Sequence, residues 1–148
     1  VLYVKSTEAS PAQRFDDEIS NAMRFGNTIL SGIGFNIDVI LDTFDDADRG
    51  YFTRTGLVDR RFNPRISGQL VSEIIRKLNN GVWCATDNET PEIVNEAGQA
   101  ITIGTKSDIS GTAKWFDPAT GSSGDEISIS EIFSEIVVIE AEHATNSH

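Results

Sequence analysis

The chain has 148 residues, of which 39% are hydrophobic and 24% charged, and its 23 acidic and 12 basic side chains give a formal charge of −11. That length suits one domain with one main core, and the composition is too apolar for disorder along the whole chain. So negative a field opposes general affinity for nucleic acid, and the longest purely aliphatic run, Ile136 to Ile139, falls far short of the ~20 residues of a membrane span.

In chain order, "VLYVK" predicts a short edge strand within an extended N-terminal arm, residues 1–9, and no secretory-leader pattern opens the sequence. Ser10 as N-cap, Pro11 in the first helical position and Gln13 three residues after the cap make a capping-box pattern. Phe15, Ile19 and Ala22 or Met23 follow at helical spacing. Gly26 is placed to end this helix, about 10–25. In "TILSGIGFNIDVILDTF", Phe35, Ile37, Val39 and Leu41 alternate with Asn36, Asp38, Ile40 and Asp42, which predicts a half-buried strand. Gly32 and Gly34 ahead of it suggest a hairpin turn or bulge.

"DDADRG" closes that strand. A calcium loop needs oxygen ligands at its first, third and fifth positions, glycine at the sixth and glutamate at the twelfth. Starting at Asp46 puts Gly50 fifth and Leu57 twelfth, whereas starting at Asp45 puts Ala47 and Arg49 in ligand positions. A strand-to-loop turn is therefore the main reading of the aspartates. Asp42, Asp45, Asp46 and Asp48 remain as an irregular divalent-ion site or the carboxylates of a small enzyme, an alternative to the reading reached below.

A second helix, about 64–80, is the best-defined element. Asn63 caps it and Pro64 opens it. Ile66, Leu70, Ile74 and Leu78 form a stripe flanked by Val71 and Ile75, and Gly81 stops it. Glu73 and Lys77 are spaced for a helical ion pair, and Gly68 costs about 1 kcal/mol relative to alanine unless a neighbour packs close. Beyond Gly81, "VWCAT", "QAITIG", "TAKWF", "EISIS" and "SEIVVIEAE" read as short strands, with "DPATGSSGDE" as the most flexible-looking loop and 143–148 as a polar tail. The expected fold is α+β: a meander-like antiparallel sheet, concentrated in the C-terminal half, with both helices on one face, in a single domain.

Catalytic chemistry finds little footing. The only histidines, His143 and His148, lie in the tail, and Cys84 is the only thiol, so neither a base-activated nucleophile nor a transition-metal site is expected. No cofactor-binding pattern stands out. Trp83 and Trp115 alternate within strands and read as core; Cys84, between Val82, Trp83 and Ala85, reads as a small buried hydrophobe. "GTAKWFDPATG" resembles the first strand of cold-shock domains, which bind single-stranded nucleic acid, over eleven residues. Where that family continues with an aromatic-glycine-aromatic strand, this chain has "SSGDEISIS", so bases would have nothing to stack on and Lys114, Trp115 and Phe116 inherit no role.

The layout of charge says more than its total. Residues 1–48 hold three basic and nine acidic side chains, residues 49–77 seven and two, and residues 78–148 two and twelve. In the basic centre, Arg49, Arg54, Arg60, Arg61 and Arg65 interleave with Tyr51, Phe52, Leu57, Val58 and Phe62, a mixture typical of interface cores. The expectation is a non-enzymatic structural subunit that self-assembles into a ring, tube or particle, of the kind that builds viral particles and tails, in a virion or in a cytoplasmic assembly. Arg49, Arg54, Arg60, Arg61 and Arg65 would pair with Glu131, Glu135, Glu140 and Glu142 of a neighbour, while Phe52, Leu57 and Phe62 supply buried area. The partner is the chain itself and other subunits, with no nucleic acid and no membrane. A monomeric adaptor for an acidic protein differs only in whose acids the arginines meet.

Overall fold

The computed structural model describes residues 2–4, 16–41, 57, 63–78, 81–86, 89 and 91–142. The predicted helix start at Ser10, the remainder of the N-terminal arm and the tail 143–148 lie outside them.

The expected α+β architecture is present. Six antiparallel strands form the main sheet: β3 (Trp83–Ala85), β4 (Glu92–Asn95), β5 (Gln99–Gly104), β6 (Lys114–Phe116), β7 (Ser123–Asp125) and β8 (Val137–Glu142). Their spatial order is β3-β4-β5-β8-β6-β7, so the first three form a meander while the last strand returns to the centre. A separate two-stranded parallel ribbon joins β1 (Leu2–Val4) to β2 (Val39–Leu41), with Tyr3 opposite Ile40. β4 and β7 escape the sequence pattern because each is short and its neighbours are polar, and "EISIS" is not a strand but part of a 3-10 segment, Glu126–Glu131.

Helix α1 spans Asp16–Gly34, and so runs through Gly26 rather than ending there. Gly26 is buried where α1 crosses α2 (Ile66–Lys77) and β5, and a Cβ there would collide with the side chains of Ile103 and Leu70. The stop comes ten residues later: Asn36, at φ 55°, adopts the left-handed conformation, and its N–H and that of Ile37 bond back to the carbonyls of Ile33 and Gly32. That closing motif uses up Phe35 to Ile37, which shortens the strand expected over 35–41 to Val39–Leu41.

α2 begins at Ile66, with Arg65 rather than Asn63 in the cap position, because the Arg65 N–H is tied to the Leu57 carbonyl at 2.9 Å. The same carbonyl lies against Gly68, where a Cβ would strike it, so the glycine answers a close approach of backbone. Leu70, Val71 and Ile74 are buried as the stripe predicts, while Ile75 faces outward at 54% exposure.

Pleating divides the sheet into two apolar layers. On one face Trp83, Ile93, Ile101, Ile103, Phe116 and Val138 pack with Phe25, Leu30, Leu70 and Ile74 of the helices. On the other, Trp115, Val137 and Ile139 pack with Ile109, Ala113 and Ile132, and Ile129 closes the layer. Cys84, one residue out of phase with Trp83, is exposed rather than buried. Phe116 and Trp115 lie in opposite layers, both buried, and the Trp115 indole N–H donates to the Asp125 carbonyl at 2.8 Å, so neither ring is free to stack on a base.

The "DPATG" stretch is a pinned turn. Asp117 is fully buried. Its Oδ1 accepts the Ala119 N–H at 2.8 Å, and its Oδ2 accepts those of Phe133 and Ser134 at 2.7 and 3.2 Å. Asp117→Ala leaves three buried or half-buried N–H groups without that acceptor, so urea unfolding should show a loss of about 3 kcal/mol. A loss under about 0.5 kcal/mol would place the weight of this turn elsewhere.

Candidate interaction surface

Of the residues picked out in the basic run, Arg49, Phe52, Arg54, Arg60, Arg61 and Phe62 lie outside the described residues, as do Asp42, Asp45, Asp46 and Asp48. Among the described residues no three His, Cys, Asp or Glu side chains converge as a metal site would require, and no helix is long and apolar enough to cross a membrane. Leu57 and Arg65 are described. Leu57 packs against the helix-side core and Arg65 opens α2, so both belong to the helix face of the sheet.

The four glutamates expected to receive arginines separate into two pairs. Glu140 and Glu142 are in phase with Val138 on β8 and share its helix-side face. Glu140 is already engaged within the chain, accepting the Lys77 Nζ at 2.6 Å. Lys77 also lies 3.5 Å from Glu73, which holds Arg76 bidentately at 2.5 and 3.1 Å. The Arg76 guanidinium, hydrogen-bonded to Glu73, is held above its ordinary titration range. These groups wall an open groove of about 650 Å³ between the end of α2 and the sheet, with Lys114, Trp83 and Asp125 also lining it. Its charged walls, Arg76, Lys77 and Lys114 against Glu73, Asp125 and Glu140, balance in sign. The groove thus fastens α2 to the central strand and offers no net charge to attract an ion.

Glu131 and Glu135 are placed differently. Glu131 lies between Ile129 and Ile132, which pack into the second apolar layer, and Glu135 lies at the approach to β8. Both are exposed, and among the described residues neither has an ionic partner. Glu126 joins them at the head of the segment. The same stretch carries two apolar side chains that sequence patterning left unnoticed, Ile127 at 93% and Phe133 at 82% exposure. Ile127 is in phase with Ile129 in the strand expected from "EISIS", so its exposure follows only from the 3-10 geometry.

No known protein family, no characterised protein and no solved structure matches the chain.

The Lys77 bolt gives a direct test of the groove's structural role. Lys77→Met removes the cation shared by Glu73 and Glu140 from a site where its side chain is only 16% exposed, and should cost about 2 kcal/mol in urea unfolding. Arg76→Ala, whose side chain is 70% exposed, should cost under about 1 kcal/mol. Equal losses for the two would mean that Glu140 does not anchor the helix.

Proposed function

We propose that the chain is a non-enzymatic structural subunit that assembles with copies of itself into a ring, tube or particle, the arginine-aromatic run of one subunit meeting the acidic surface of the next. The observation that supports this reading is the segregation of charge along the sequence, with seven basic and two acidic side chains in residues 49–77 against two basic and twelve acidic in residues 78–148. Among those acids Glu131 and Glu135 are exposed and have no ionic partner among the described residues, which leaves them open to a neighbour's arginines. A contact between unlike patches of neighbouring chains is heterologous, and such an arrangement closes into rings or continues as helical tubes. Arginine suits it, because its planar fork pairs with carboxylates at interfaces more readily than lysine does.

The test is molar mass by light scattering behind a sizing column. An oligomer at low salt that shifts to smaller mass at ~0.5 M salt is expected, since attraction between exposed patches is screened. Arg60→Glu with Arg61→Glu should remain monomeric at low salt with an unchanged circular dichroism spectrum. A wild-type monomer at both salts, at protein concentrations well above micromolar, would overturn the proposal.

A further inference from the structure

We draw no further inference here: the strongest candidate, the open groove between the end of α2 and the sheet, belongs to the fastening already described, with Glu73 and Glu140 engaged by Arg76 and Lys77 and its charged walls balanced in sign, so that it favours no class of ligand.

Discussion

A carboxyl group with no exposure to solvent has to find its hydrogen-bond partners inside the protein, and Asp117 finds three backbone N–H groups from two separate stretches of chain. Removing such a group from water costs several kcal/mol unless its acceptor sites are filled, so the stretches are held in register by the penalty for letting go. One oxygen shapes the turn after β6, and the other fixes the approach to β8. Because β8 lies between β5 and β6, whatever fixes its start also fixes the middle of the sheet. The two apolar layers depend on it in turn: Val138 belongs to one and Val137 and Ile139 to the other, so a slip of one residue would exchange them.

The same phase rule assigns the acids. Glu140 and Glu135 are chemically identical, five positions apart, and serve different ends. The first lies on the face that meets α2, where Lys77, 63 residues earlier in the chain, reaches it. The second precedes the strand and stays exposed. What would be a surplus of negative charge in the C-terminal half is thus divided between an internal fastening and an outward surface. The outward stretch takes its order from the Asp117 clamp, which holds the Phe133 and Ser134 N–H groups just ahead of β8.

Much of this architecture was legible in the sequence, with limits that have physical causes. The α2 stripe was clear because Leu70, Val71 and Ile74 repeat at helical spacing, and Ile75 was misplaced because a helix of 12 residues buries a narrower band than its apolar residues mark. Gly26 looked like a stop because glycine commonly ends helices; its actual reason, the approach of Ile103 and Leu70, comes from parts of the chain a local reading does not see. Phe35 to Leu41 alternated like a strand, yet its first residues close α1, since Asn36 tolerates the left-handed conformation. "DPATGSSGDE" looked loose on composition, because nothing local reveals that its aspartate is buried against a segment 16 residues away. For the proposed acidic surface, sequence supplied Glu131 and Glu135 but not Ile127, whose exposure depends on the 3-10 geometry replacing the strand expected from "EISIS", nor Phe133, whose N–H is held by Asp117.

Sheet edges offer the other common route by which domains of this kind join, and here they are poorly suited to it. Each end of the sheet is a strand of three residues, β3 or β7. Short edges limit the ladder a second copy can add. On β7 the Asp125 carbonyl already accepts the Trp115 indole N–H and the Ser128 hydroxyl, and its carboxyl caps the following segment. Strand addition would have to displace those bonds before forming its own. Glu131 and Glu135 carry no such penalty, since among the described residues neither has an ionic partner that a neighbour would have to displace. Assembly through faces of unlike chemistry also has a direction that edge pairing lacks, and the rotation from one subunit to the next then decides between a closed ring and an open tube.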